Sequence, residues 1–177
     1  KQLNSLEHVL FAGFTHEPAI LLARELISIS PGRLTKVFFS DDGSTAVEIA
    51  LKMAFQYWKN KGEERPLFIA PSQAYHGDTV GAVSVGGIER FHEIFRPLLF
   101  KVLRTPSPYC YRCPLDKRYP DCAMACADPI EKMLADNRGH VAAVVVEPAM
   151  QAAAGMIALP PGYLRRLREA CDRHGVL

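Results

Sequence analysis

Apolar residues in this chain gather into short unbroken runs separated by longer amphipathic stretches. Val37–Phe39, Leu67–Ala70, Leu99–Leu103 and Val141–Val146 are four such runs and read as strands. The last is an unbroken series of Val and Ala, the pattern of a strand buried on both faces of a parallel sheet. Val176 reads as the start of a further strand. Helical periodicity fills the gaps. Residues 18–29 carry Pro18 in their first turn. Residues 44–61 make a long helix stopped by Gly62. Asp78 is a candidate cap for a short helix reaching Val85. Residues 129–137 are helical, and residues 161–173 form a basic amphipathic helix with Gly175 as its stop. Alternating helices and strands predict an α/β fold with a mostly parallel sheet. On the 44–61 helix the polar residues Glu48, Lys52, Gln56 and Lys59 form one narrow stripe, while Met53, Phe55, Tyr57 and Trp58 are apolar. That pattern predicts a helix covered on most sides, by its own sheet and by a second subunit.

Composition narrows the class without naming a function. The 177 residues are 49% hydrophobic and 23% charged, ordinary for a globular domain with a core of its own. A formal net charge of +2 with no block of like charges argues against nucleic acid or an acidic membrane surface as the main partner. No apolar run approaches the length of a transmembrane helix. The opening Lys-Gln-Leu-Asn-Ser-Leu-Glu lacks an initiator Met and is not built like a signal peptide. Both ends read as interior sequence. The expectation is one incomplete domain over 1–177: a leading segment at 1–30, then the first part of a large domain at 31–177 with an insertion at 105–128.

Ligands of parallel sheets sit at the carboxyl ends of strands. Three groups fall there: Asp41-Asp42-Gly43-Ser44, Tyr75-His76-Gly77-Asp78 and Glu147-Pro148. Gly43 and Ser44 open a helix, so free backbone N–H groups and the positive end of the helix dipole favour a phosphate. The turn lacks the Lys-Ser/Thr ending of an ATP-binding loop and the three-glycine dinucleotide pattern. It suits a single phosphate, such as that of a small phosphorylated cofactor. The same Asp-Gly-Ser turn also reads as a simple helix cap. Tyr75 alone reads as a half-buried core tyrosine, and Asp78 as either a helix cap or a polar group on the substrate side. Glu147, at the end of the most buried strand, needs a partner for its carboxylate.

Taken in order, Phe39-Ser40-Asp41-Asp42-Gly43-Ser44-Thr45-Ala46-Val47-Glu48, Ala74-Tyr75-His76-Gly77-Asp78-Thr79 and Val146-Glu147-Pro148-Ala149-Met150-Gln151 resemble the class III (ω-type) pyridoxal-phosphate aminotransferases. Phe14-Thr15-His16-Glu17-Pro18-Ala19-Ile20 and Gln56-Tyr57-Trp58 extend the likeness, which spans the chain outside 105–128. The resemblance implies a fold-type-I enzyme that uses pyridoxal 5'-phosphate (PLP) and works as a cytoplasmic homodimer. Within the family it points to members that pass an amino group from S-adenosylmethionine to 8-amino-7-oxononanoate, giving 7,8-diaminononanoate for biotin synthesis. Another ω-amino acid, a diamine, or lysine as donor is the alternative. Gly43, Ser44, Tyr75 and His76 match cofactor-binding positions, with Tyr75 stacking on the ring and His76 orienting the loop. Tyr75, Asp78 and Glu147 match the substrate side. Gln151 matches the Gln of the family's Glu-Pro-x-x-Gln pattern, whereas Ala152-Ala153-Ala154 replaces a stretch usually rich in glycine. The family's cofactor-holding lysine and the aspartate facing the pyridine nitrogen are expected beyond residue 177. The chain alone is therefore expected to be inactive.

Four of the five cysteines crowd into residues 109–126, as Cys110-x2-Cys113, eight residues, then Cys122-x3-Cys126. Four thiolates in a turn-rich loop can close a tetrahedral zinc site. Free thiols, a disulfide or an iron–sulfur cluster are the other readings. A metal-stabilised binding module without chemistry is the non-enzyme alternative. Cys171 reads as a packed apolar residue.

Overall fold

Along the central strand, Phe68 and Ala70 enter one hydrophobic cluster and Ile69 the other. This two-residue alternation requires cover on both faces of the sheet. The computed structural model describes residues 1–32 and 34–177. In chain order its elements are α1 (Glu17–Ile29), α2 (Gly43–Asn60), β1 (Leu67–Pro71), α3 (Val80–Val85), α4 (Glu89–His92), β2 (Val102–Thr105), α5 (Asp128–Asp136), β3 (Val141–Val144), β4 (Met150–Gln151), β5 (Ile157–Ala158) and α6 (Tyr163–His174). A three-stranded sheet runs β2-β1-β3 with both pairings parallel, and β4 and β5 form a small antiparallel pair. Helices α5 and α6 cover one face through Ile130, Leu134, Tyr163, Leu167 and Cys171. Helix α2 covers the other, where Leu51 and Trp58 meet Phe68, Ala70 and Ala142. Residues Ser40–Leu177 thus form a layered α/β unit, as the periodicity predicts.

Local sequence accounts for the helix limits. The Asp42 carboxylate accepts the Thr45 N–H at 2.8 Å, and the Thr45 hydroxyl oxygen accepts the Asp42 N–H at 3.1 Å, a reciprocal cap on α2. Gly62 (φ +76°) follows the end of α2, and Gly175 (φ +60°) ends α6. Trp58 locks α2 to the sheet, because its ring N–H donates to the Ala142 carbonyl at 2.9 Å. The Arg65 guanidinium stacks 3.5 Å from the Trp58 ring and donates to the Gly175 carbonyl at 2.8 Å. One tryptophan therefore joins α2, β3 and the end of α6.

Three expectations change. Val37–Phe39 is not a strand: it has no strand partner among the described residues, and Phe38 is 65% exposed. An apolar run becomes a strand only where another edge takes its N–H and C=O groups. The run expected at 99–103 begins its pairing at Val102, because the Phe100 N–H donates to the Ser84 hydroxyl at 3.2 Å instead. Asp78 does not cap α3, whose N-cap is Thr79 without a side-chain hydrogen bond. In the single chain Met53, Phe55 and Tyr57 of α2 stay 40–48% exposed. No strand forms at Val176, whose N–H donates back to Cys171 at 2.9 Å, but Leu177 bonds to β3: its N–H donates to Ala142 at 3.3 Å and its carbonyl accepts the Val144 N–H at 3.0 Å.

Residues Lys1–Phe39 and Ser40–Leu177 are separate compact units. In the first, Phe11 packs on Phe39 and His16, and α1 buries only Ala19. No helix among the described residues is long and apolar enough to cross a membrane. The core argument predicts that Leu134→Ala, at a site 1% exposed, lowers the stability of the intact protein by about 2–5 kcal/mol. Ile94→Ala, at a site 81% exposed, should stay within about 0.5 kcal/mol of wild type. Urea denaturation of the two variants checks both values.

Candidate active site

Beyond β1 the chain turns back on itself, and two mutual hydrogen bonds fix the turn. Gln73 N–H donates to Gly87 at 3.1 Å, and Gly87 N–H donates to Ala74 at 2.7 Å. This presents Tyr75 next to the end of β3. The half-buried Glu147 then holds two segments at once: one carboxylate oxygen accepts the Tyr75 N–H at 3.0 Å and the other the Ala152 N–H at 3.1 Å. The Tyr75 hydroxyl donates to Asp78 at 2.9 Å, so Asp78 pins the ring. That bond raises the Tyr75 pKa, with burial adding to it, and keeps the phenol protonated.

The first turn of α2 meets the same loop. The Ser44 hydroxyl accepts the Thr79 N–H at 2.9 Å and donates to the Thr79 hydroxyl at 3.0 Å. Thr79 in turn donates to the Glu48 carboxylate at 2.8 Å, which also takes the Ala82 N–H at 3.2 Å. Gly77 (φ +115°) makes the approach possible: a Cβ there would overlap the Ser44 side chain and lie 2.7 Å from its Cα. A Cβ on Gly43, by contrast, would meet nothing within 4 Å. The N-terminus of α2 is therefore open on the Gly43 side and closed on the Gly77 side. The Ser44 hydroxyl, expected to face a phosphate, is bonded to Thr79, and backbone N–H groups are further donors at this terminus.

His76 is driven toward neutrality. Its pKa falls to about 4, mainly by burial and then by the positive Arg104, and its Nε2 is buried without a partner. Arg104 donates to the carbonyls of Ser84, Val85 and Gly86, closing the C-terminal end of α3. Gln151, 2% exposed, accepts from the Ser107 hydroxyl and donates to the Ser72 carbonyl at 2.9 Å. It thus ties the ends of all three parallel strands.

The structure brings together Ser44, Tyr75, His76, Asp78 and Glu147 with Gly43 at their edge, as the three motifs imply. Sequence reasoning missed three supports. Glu48 looks like part of a solvated stripe, Thr79 closes a family-like motif with no role assigned to it, and Arg104 is one Arg near the end of an apolar run. Only the last pattern, a charge inside a strand, could have flagged its residue.

Away from this cluster, Cys110, Cys113, Cys122 and Cys126 line one cavity of about 10 Å³ with Pro108, Leu115, Met124 and Pro160. All four are free thiols. Burial, then the neighbouring thiols, pushes Cys126 up to about 11 and moves Cys110 in the same direction. Among the described residues no three His, Cys, Asp or Glu side chains stand at metal-holding spacing. Cys171 is buried in the α5–α6 core, as its pattern implies.

The family model for class-III aminotransferases matches residues 1–177. The chain belongs to the class-III aminotransferase family. It is similar to the adenosylmethionine-8-amino-7-oxononanoate aminotransferase of Geobacter sulfurreducens, 51% identical over 178 residues that cover 99% of this chain and 39% of that protein. The crystal structure of the Methanocaldococcus jannaschii enzyme of the same name matches with a TM-score of 0.89 and 40% identity, over 99% of this chain and 37% of that one. An amine transaminase from an uncultivated Pseudomonas species, solved in a PLP-bound form, matches with a TM-score of 0.91 and 40% identity, over 99% of this chain and 40% of that one. The chain spans well under half the length of these relatives. Its fold is that of this family's transaminases.

Two measurements check the cluster. Glu147→Gln leaves one backbone N–H facing an amide NH2, so stability should fall by about 1–3 kcal/mol. Hydrogen exchange at Tyr75 and Ala152 should accelerate with it. His76 has a folded pKa below the unfolded value of 6.5, so the unfolded chain takes up the proton first. Its contribution is fully present above pH 6.5 and is lost as pH falls to about 4. A histidine titration by NMR should find that depressed value, and His76→Phe should flatten the stability profile in this window.

Proposed function

We propose that the intact protein is a PLP-dependent aminotransferase that moves an amino group from S-adenosylmethionine to 8-amino-7-oxononanoate, giving 7,8-diaminononanoate. The observation that carries the reading is the convergence of Tyr75, Glu147 and the open N-terminus of α2 at one end of a parallel sheet. The relatives named for this reaction support the choice of substrates. A cytoplasmic homodimer fits a biosynthetic enzyme of this kind, and the exposed Met53, Phe55 and Tyr57 of α2 offer apolar surface for a second subunit. The segment around residues 11–20 is proposed to lie near the same interface. Small molecules, not nucleic acid or membrane, are the proposed partners. A binding module without chemistry is disfavoured by family membership over all 177 residues.

PLP suits the residues present. Its phosphate matches the vacant space beside Gly43 and the backbone donors of Gly43 and Ser44 at the start of an 18-residue helix. When bound, PLP supplies an electron sink for the carbanion that transamination requires. The chain's own residues do the rest by position. Tyr75 offers an aromatic face that covers the ring and excludes water, and its hydroxyl bond to Asp78 stops the face from swinging away. Glu147 sets the height of that ring through the Tyr75 backbone. Neutral His76 shapes the loop without adding a positive charge. Asp78, exposed at the rim, is suited to a substrate ammonium. No lysine takes part in the hydrogen bonds of this cluster, so the lysine that holds the cofactor is proposed to lie outside 1–177, leaving these residues inactive on their own.

A second reading rests on the Pseudomonas amine transaminase, which matches with a TM-score of 0.91. It makes an ω-amino acid, a diamine or lysine the amino donor. Absorbance of the PLP-loaded intact protein separates the two: S-adenosylmethionine should convert the cofactor band, and lysine or a diamine should not. Conversion by lysine alone would select the second reading. Borohydride reduction and peptide mapping should label one lysine, outside residues 1–177. Gly43→Asp tests the phosphate site. An aspartate in the first turn suits a helix but repels a dianion, so PLP affinity should fall at least 10-fold with little change in stability.

A further inference from the structure

The loop between β2 and α5 holds a group of chemistry-bearing side chains that the proposed aminotransferase reaction does not use. Its cysteines are two short pairs separated in sequence, yet all four face a single cavity. Local backbone geometry makes them converge. The Asp116 N–H donates to Cys113 at 3.1 Å, turning the chain after the first pair. The Cys122 N–H donates to Arg118 at 2.9 Å and the Ala125 N–H to Cys122 at 3.0 Å. Ala123 and Met124 both adopt left-handed backbone (φ +46° and +58°), which folds the second pair back on the first. Apart from one short turn at Ala125–Ala127, residues 106–127 have no helix or strand to hold this shape.

The surroundings suit anionic sulfur. Tyr163 is 1% exposed, packs in the same cluster as Cys126, and has a buried hydroxyl with no hydrogen-bond partner. An unpaired buried O–H is costly, and a nearby thiolate would accept it. Lys117 lines the cavity, and Arg112 and Arg118 stand with it in the outer cleft that Cys110 and Cys113 also face. These cations offset the charge of a four-thiolate centre, and the cleft gives an ion a way in. The cavity is about the size of one water, enough for a single ion and not for an iron–sulfur cluster.

We propose that Cys110, Cys113, Cys122 and Cys126 bind one zinc ion that holds this loop closed. The four cysteines line one cavity, and zinc would hold their sulfurs at about 2.3 Å. Four S–H bonds break, four Zn–S bonds form, and four protons pass to solvent; nothing is oxidised or reduced. The centre is structural, because four protein ligands leave no open position.

Zinc content is read without any activity assay, so this inference and the cofactor reading fail separately. The intact protein, purified without metal-affinity resin or chelator, should contain close to one equivalent of zinc by elemental analysis. X-ray absorption should find four sulfurs at about 2.3 Å. Cys113→Ser should lose most of the zinc while keeping the PLP spectrum. Should that variant fail to fold, Tyr163→Phe provides the second arm. It removes only the orphaned hydroxyl and should speed zinc transfer to a competing chelator by about 10-fold. Less than a tenth of an equivalent of any transition metal with four titratable thiols would overturn the proposal. So would iron with acid-labile sulfide, a disulfide among the four cysteines, or Tyr163→Phe releasing zinc at the wild-type rate.

Discussion

Glu147 accepts two backbone N–H groups, and the rest of the candidate site depends on that clamp. A carboxylate at the end of a buried strand needs donors for both oxygens. Tyr75, 72 residues away in sequence, supplies one and Ala152 the other. The clamp sets the Tyr75 loop against the end of β3, and Gln151 adds Ser72 and Ser107 from the other two strands. Three parallel strands therefore end in one hydrogen-bonded layer rather than three independent loops. That layer gives the aromatic face at Tyr75 a fixed position.

A second layer of contacts joins α2 to the same place. Ser44, Thr79 and Glu48 form a short chain of hydrogen bonds that Gly77 and Gly81 permit, since a Cβ at either would run into a side chain of α2. The helix terminus proposed to receive a phosphate is thus positioned by the loop that carries the aromatic cover. His76 lies within this packing as a neutral ring, its charge suppressed by burial and by Arg104.

The cysteine loop follows different physics. The site layer is held by backbone amides and carboxylates, whereas the loop after β2 has no regular element through most of its length and is held by residues such as Leu115, Met124 and Cys126 packed on the α5–α6 core. The exposed apolar residues of α2 belong to another class of feature: surface that the chain by itself leaves uncovered.

Much of this was legible in the residues. Periodicity gave α1, α2, α5 and α6 to within a residue or two, because capping and stop signals at Asp42, Pro18, Gly62 and Gly175 act locally. The strand-end motifs named Gly43, Ser44, Tyr75, His76, Asp78 and Glu147 before any contact was known. Pairing and partnership were not legible. Val37–Phe39 has strand composition and no strand partner among the described residues, Leu99–Lys101 lost its pairing to a serine on α3, and Asp78 holds a tyrosine instead of a helix end. The Ser44 hydroxyl is bonded to Thr79, and Glu48, Thr79 and Arg104 became supports of the site through contacts that no local pattern encodes. Propensity, capping and turn chemistry act over a few neighbouring residues, so sequence alone determined the main helices and which residue types stand at their ends. Hydrogen-bond partners drawn from 16 to 79 residues away exist only once the sheet and its helices have closed, so the tertiary structure alone decided what each polar group holds.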